Sequence, residues 1–257
     1  MTTNSSHAGR VVLVTGAGQG IGAAIARAFV AQGAAVAVLD LDHERAALTA
    51  DELEAAGGTA IGVAADVADR ASLAAALDRV VHRLGTVDIL INNAGISPKH
   101  DGAPAPIDAM DEAEWRRVVD VNLTGAFLAA KLVVPAMQAK GWGSIVNMSS
   151  VAGRTYFPSI GVHYAATKAA LIGFTKHLAG DLGPYGITVN AIAPGRIRTP
   201  LIASVPAAVN EAAIRATPLR RLGEPIDVAT AALWLTSADA GFVTGQVVDV
   251  AGGWLMT

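Results

Sequence analysis

The sequence predicts an α/β protein built on one doubly wound parallel sheet flanked by helices. Two observations carry this. Short runs apolar at every position, such as Val11-Val12-Leu13-Val14 and Ala35-Val36-Ala37-Val38-Leu39, suit strands buried on both faces. Such runs alternate with segments of helical periodicity, and no second composition regime interrupts the 257 residues. One domain over 1–257 is therefore expected, with 1–9 as a flexible polar N-terminus.

The first strand ends in Thr15-Gly16. Gly16-Ala17-Gly18-Gln19-Gly20-Ile21-Gly22 follows, then a helical pattern over 23–32. A glycine-rich turn between a strand and a helix N-terminus offers backbone N–H groups to an anion, so it can seat a pyrophosphate. The glycines could instead serve packing alone; the strand before and helix after favour a nucleotide. The second strand, 35–39, ends in Asp40, about twenty residues beyond the turn. A carboxylate there can take ribose hydroxyls and would repel a 2′-phosphate. No Lys or Arg stands at 40–43 and Gln19 is uncharged, so NAD(H) is favoured over NADP(H). The alternative is that Asp40 caps the next helix.

A helix over 43–56, a strand over 59–64 and a helix over 70–84 continue the rhythm, with Asp66-Val67 placed to border an adenine. A strand over 87–91 leads into Asn92-Asn93-Ala94-Gly95, at the sheet edge where open α/β folds bind ligands. A helix over 111–139 carries Asn122, either a structural hydrogen-bonder or a water-holding group. Its greasy part, 123–137, is broken by Lys131 and Pro135, which suits a core or interface helix and not a membrane span. A strand over 144–148 ends in Ser149-Ser150, and a helix rich in small residues then carries Tyr164-Ala165-Ala166-Thr167-Lys168. One helical turn puts Tyr164 and Lys168 on one face, and an ammonium beside a phenol favours phenolate. Alone, Tyr-x-x-x-Lys is a common surface pattern. A strand over 188–192, a lid over about 200–217, a helix over 226–236 and a strand over 246–250 complete the chain.

The net charge of −3 gives no basic field for nucleic acid or an anionic membrane. The absence of cysteine removes disulfides, thiolate catalysis and cysteine-based zinc sites, and suits a cytoplasmic location. The six histidines show no ligand spacing, so no metal is expected. His163 is read as a loop or interface residue, with a pocket role as the alternative.

Thr15 to Gly22, Asn92-Asn93-Ala94-Gly95, Asn122, Ser150, Tyr164 to Lys168 and Pro194-Gly195-Arg196-Ile197-Arg198-Thr199 together resemble the short-chain dehydrogenase/reductase (SDR) family. The resemblance runs from about Val11 to Trp254. It implies a Rossmann fold of about seven parallel strands, a nicotinamide cofactor and a small-molecule substrate. By resemblance Tyr164 is the general acid/base, Ser150 holds the substrate oxygen, and Lys168 binds the nicotinamide ribose and lowers the Tyr164 pKa. Asn122 supports a relay water, and Pro194, Gly195, Ile197 and Thr199 meet the nicotinamide end. A homotetramer paired through 111–139, 161–182 and the last strand is implied too. Ser150 precedes Tyr164 by fourteen residues, one more than in many members, which suggests a longer loop.

Ser97, Pro98, Lys99, His100, Arg154, Tyr156, Phe157, Arg196 and the lid are the pocket candidates. This mixture suits a hydroxylated or anionic small molecule better than a steroid. Many relatives resemble 3-oxoacyl-carrier-protein reductases, which usually prefer NADPH and hold the carrier with basic residues. Tyr185 and Gly141 stand at two such positions here. With Asp40, they favour an NAD-dependent dehydrogenase of a secondary alcohol, polyol or sugar, with the carrier-protein reductase as the alternative. A non-catalytic NAD-binding sensor or scaffold is the alternative of another class.

Overall fold

The structure is a computed structural model that describes residues 6–203 and 207–256. Among them seven parallel strands form one sheet in the order β3-β2-β1-β4-β5-β6-β7. The strands are β1 (Val11–Thr15), β2 (Ala35–Asp40), β3 (Thr59–Ala64), β4 (Ile89–Asn92), β5 (Gly143–Met148), β6 (Ile187–Pro194) and β7 (Val247–Val250). This is the Rossmann-type doubly wound sheet expected from the alternating pattern. The chain reverses direction across the sheet between β1 and β4, which opens a crevice at their carboxyl ends.

Helices cover both faces. On one side α1 (Gly20–Ala31), α2 (His43–Ala55) and α9 (Pro225–Leu235) bury Ile25, Phe29, Leu53 and Leu235 against Val12, Val36 and Ile89. On the other, α3 (Arg70–Leu84), α5 (Gly125–Lys140) and α6 (Val162–Leu182) bury Leu73, Met137 and Leu182 against Leu13, Leu90 and Ile145. Each large apolar side chain so buried contributes roughly 1.5–3 kcal/mol. Alternate residues of β1 serve opposite cores, which explains why the strand is apolar at every position.

Four details differ from the sequence reading. The first helix starts at Gly20, not residue 23, so the last glycines of the turn are its first helical residues. The expected helix over 111–139 is a rod, α4 (Glu112–Val119) and α5, joined through a π turn at Asp120–Thr124 that contains Asn122. A π turn inserts one residue into the helical repeat and re-aims a side chain, a feature frequent at functional sites. The rod is long and apolar enough to cross a membrane by length and composition; it packs on α3, β4 and β5. The third difference is the lid region, where α7 (Pro200–Ala203) and α8 (Ala207–Ala216) form. Fourth, residues 6–9 make a turn, with His7 buried edge-on to Phe29 and its Nε2 2.9 Å from Thr236 Oγ1. The flexible N-terminus expected over 1–9 therefore does not hold for 6–9. Residues 1–5, and the expected lid at 204–206, lie outside the described residues.

Candidate active site

A cavity of about 410 Å³ runs along the carboxyl ends of the strands. Gly16, Gln19, Gly20, Ile21, Asp40, Asp66, Val67, Asn93, Ala94, Gly95, Pro194, Gly195, Ile197 and Thr199 line it, as do Ser150, Tyr164 and Lys168. Every sequence-stated cofactor candidate except Gly22 is thus brought to one crevice. Gly22 is buried, and a Cβ there would lie 2.3 Å from the Gly16 carbonyl oxygen, so its part is close packing of the helix against the turn.

The glycine turn needs left-handed backbone at Gly16 (φ 62°) and Gly20 (φ 59°). Asn93 braces it, its Nδ2 donating to the Thr15 and Gly16 carbonyls at 2.9 Å each. Gln19 is the N-cap of α1 and makes no side-chain cap, so the first-turn N–H groups point at the crevice without a competing side chain. Asp40 accepts from Gly18 N at 2.9 Å and from Asp42 N at 3.1 Å. The cap of α2 is Asp42, which accepts from Arg45 N, so the capping alternative for Asp40 falls. Arg45 is the basic side chain beside this end, and its Nε pairs with Asp42 at 3.1 Å. A glycine cradle on a helix N-terminus, with a carboxylate one strand away, fits the pyrophosphate and adenosine ribose of a dinucleotide.

At the other end, β5 delivers Ser149 and Ser150 and α6 delivers Tyr164 and Lys168. The serines separate by role. Ser149 Oγ donates to the Lys168 carbonyl at 2.7 Å and is buried. Ser150 Oγ accepts from Ala152 N at 3.1 Å, capping the short 3₁₀ turn Val151–Gly153, and Ser150 lines the same cavity wall as Tyr164. Lys168 Nζ donates to the Met148 carbonyl at 2.7 Å and lies 5.4 Å from the centre of the Tyr164 ring.

Burial pushes the Tyr164 phenol above its ordinary pKa of 10.0, and the neighbouring Ser150 hydroxyl offsets this only in part. Burial lowers Lys168 from 10.5 to about 8. The expected lowering of Tyr164 by Lys168 is therefore overruled here: loss of water penalises both charged forms. This desolvation has a consequence for stability. Between about pH 8 and 10.5 the unfolded chain holds a proton on this lysine that the folded chain has released, so stability rises with pH in that window. Against a Lys168→Met variant, the wild type is expected to gain roughly 2 kcal/mol between about pH 7 and 9.5 in urea denaturation. A difference that stays constant with pH would count against a desolvated ammonium.

Asn122 Oδ1 accepts from Ile96 N at 2.8 Å, and its Nδ2 donates to the Ile96 carbonyl and to Thr167 Oγ1. It ties the loop after β4 to α6, one residue from Lys168. The structure does not place His163 in a loop: it is fully buried in the first turn of α6. Its Nδ1 accepts from Tyr164 N at 2.7 Å, which leaves Nε2 to donate to Glu114 Oε1 at 3.0 Å. Glu114 Oε2 also meets His100 Nε2 at 2.7 Å, and the two histidines hold the Glu114 carboxyl below its usual pKa.

The substrate-pocket candidates split. Ser97, Lys99, Phe157 and Arg196 line a second cavity that shares Ser150 and Tyr164 with the first; Pro98 does not line it. Arg154 is turned away and held by both oxygens of Asp249, at 2.9 and 2.7 Å. Tyr156 is 81% exposed, and His100 is spent on Glu114. Trp254, missed in the sequence reading, packs on Phe157 with ring centres 4.4 Å apart. No local pattern joins residues so distant in sequence. No group of three or more potential metal ligands occurs among the described residues.

A doubly wound sheet with this crevice, a braced glycine turn and a Ser–Tyr–Lys cluster defines a dinucleotide-binding oxidoreductase. A family model described as enoyl-(acyl carrier protein) reductase matches residues 16–255. The chain belongs to the short-chain dehydrogenase/reductase family, whose members bind a nicotinamide cofactor. It is 42% identical to a cis-4-hydroxycyclohexanecarboxylate dehydrogenase of Sinomonas cyclohexanicum, over 97% of this chain and 98% of the relative. It is 40% identical to a 3-oxoacyl-[acyl-carrier-protein] reductase of Thermotoga maritima, over 95% and 97%. A crystal structure of a 3-oxoacyl-[acyl-carrier protein] reductase with bound NAD from Brucella melitensis superposes with a TM-score of 0.94 at 52% identity, covering 99% of this chain and 94% of that one.

Proposed function

We propose that the protein is an NAD(H)-dependent dehydrogenase of a secondary alcohol, acting on a polyol, sugar or similar small hydroxylated substrate. The observation that carries the reading is the meeting of Ser150 and Tyr164 at the junction of the two cavities, with Lys168 one turn of α6 further on. When bound, the nicotinamide supplies the hydride acceptor or donor. Tyr164 Oη takes the alcohol proton during oxidation and returns it during reduction. Ser150 Oγ hydrogen-bonds the substrate oxygen where charge develops. Lys168 holds the nicotinamide ribose and keeps positive charge near the phenol. Asn122 fixes the Ile96 loop and supports a relay water.

Asp40 sets cofactor choice in this reading. Asp40→Asn retains an acceptor for Gly18 N and removes the charge, so the preference for NAD over NADP is expected to narrow by about 10–100-fold in kcat/KM. An unchanged ratio would exclude Asp40 as the determinant. The protein works in the cytoplasm as a homotetramer, with neither nucleic acid nor membrane as partner. Exposed Trp115 and Phe127 on the long rod and Val162 on α6 support pairing through these helices.

The 52% identical Brucella structure supports a second reading, a 3-oxoacyl-carrier-protein reductase. Tyr185 and Gly141, at positions where a basic contact to an acidic carrier would be expected, speak against it. The deciding experiment is an NAD-linked screen of polyols, sugars, hydroxy acids and secondary alcohols beside an acetoacetyl thioester with NADH and NADPH. Turnover of the thioester alone with NADPH would select the second reading. Failure on every substrate would leave a non-catalytic NAD-binding protein.

A further inference from the structure

Next to Ser150 and Tyr164 the smaller cavity measures about 110 Å³, on the scale of the ~150 Å³ cavity known to take one benzene ring. Its walls divide by chemistry. Phe157, Trp254, Ile160 and Ile202 supply apolar surface, whereas Lys99, Arg196 and Ser97 bring polar groups. No Asp or Glu lines it among the described residues.

The two cations keep neutral company. Lys99 Nζ donates to the Ser159 carbonyl at 2.6 Å, and Arg196 Nε donates to Asn210 Oδ1 at 2.7 Å. Arg196 also borders a neighbouring cavity with Asp249 and Asp227, but Arg154 holds the first and Arg221 the second. Arg196 Nη2 and Ser97 Oγ are buried polar atoms with no hydrogen-bond partner among the described residues. A buried donor left without a partner is costly, the more so when it carries charge. Burial and the Arg196 charge hold the Lys99 pKa down, and burial does the same to Arg196. Two desolvated cations facing one small space are stabilised by a shared anion.

We infer that this subsite takes the carboxylate of a small cyclic or aromatic hydroxy acid, or of the matching oxo acid, whose ring lies against Phe157 and Trp254. The inference rests on the dehydrogenase reading and, among small hydroxylated substrates, selects an acid over a neutral polyol or sugar. A planar carboxylate has lone pairs enough to accept from a guanidinium N–H, an ammonium and a hydroxyl together. A neutral polyol would leave the repulsion between Lys99 and Arg196 uncompensated. An acyl thioester carries no acid group to set beside its ketone.

The test compares 3-oxocyclohexanecarboxylate with its carboxamide and with an acetoacetyl thioester in steady-state kinetics. Beside it, NADH-loaded protein is titrated with the unreactive pair cyclohexanecarboxylate and cyclohexanecarboxamide. The acid is expected to exceed its amide by about 30-fold or more in kcat/KM, and the unreactive carboxylate to bind tighter than its amide by a similar factor. Arg196→Met and Lys99→Met should each shrink the acid-over-amide ratio by about tenfold. Equal rates for acid and amide, a preferred thioester, or equal losses on acid and amide in both variants would overturn the inference. Lys99 lies in a loop outside the sheet, so Lys99→Met stays informative if Arg196→Met does not fold. Selective, Arg196-dependent binding of cyclohexanecarboxylate without turnover of any ketone would keep the subsite and reject the dehydrogenase. Turnover of neutral alcohols with no carboxylate selectivity would do the reverse.

Discussion

Replacing Tyr164 by Phe is expected to lower kcat by about 10³-fold or more while NADH still binds within about threefold. The phenyl ring keeps its place in α6, and the substitution removes only the hydroxyl on the cavity wall it shares with Ser150. In the proposed mechanism that hydroxyl is the one group that exchanges a proton with the substrate oxygen. Removing it therefore acts on the transition state and spares cofactor binding. Stopped-flow fluorescence of NADH and steady-state turnover separate the two effects. A variant that retains near-normal turnover would reject Tyr164 as the acid/base.

Gly153→Ala is expected to damage the same site without touching a reacting group. A Cβ at Gly153 would stand 2.6 Å from the Lys168 carbonyl carbon and 2.7 Å from Ala169 N. Both are backbone atoms of α6, so no side chain can swing aside. The turn after β5 and the helix must separate, at a cost of roughly 1–3 kcal/mol or more. That separation moves Ser150 away from Tyr164, and a misplacement near 1 Å can cost about 100-fold in rate. Thermal unfolding and kcat/KM measured on one preparation check both effects. Unchanged stability with unchanged rate would show that the turn and α6 do not need this close approach.

Much of the architecture was legible before any coordinates. The β-branched runs and their helical intervals are local patterns, and strands buried on both faces have few other sequences open to them. The glycine turn was legible because left-handed backbone at Gly16 and Gly20 restricts the residue type. Ser150, Tyr164 and Lys168 were legible through their order and spacing, and the structure brings them together at one end of the cavity. The π turn at Asn122 was not, because a single inserted residue demands no particular residue type at the turn itself.

The residues around the substrate were legible only as a pool. Arg154 and Arg196 look alike in sequence, yet one is neutralised by Asp249 and the other borders the small cavity. His163 beside Tyr164 could have faced a pocket; a partly buried carboxylate on α4, Glu114, claims it instead. Trp254 meets Phe157 across the end of the sheet. The sequence by itself therefore determined the sheet, the glycine turn and the grouping of Ser150, Tyr164 and Lys168, since backbone geometry and short spacing specify them. Tertiary structure alone decided which of the candidate cations is paired with a carboxylate and which borders the small cavity. Charge pairing is settled by atoms within a few ångströms, and the partners come from strands and loops nearly a hundred residues apart.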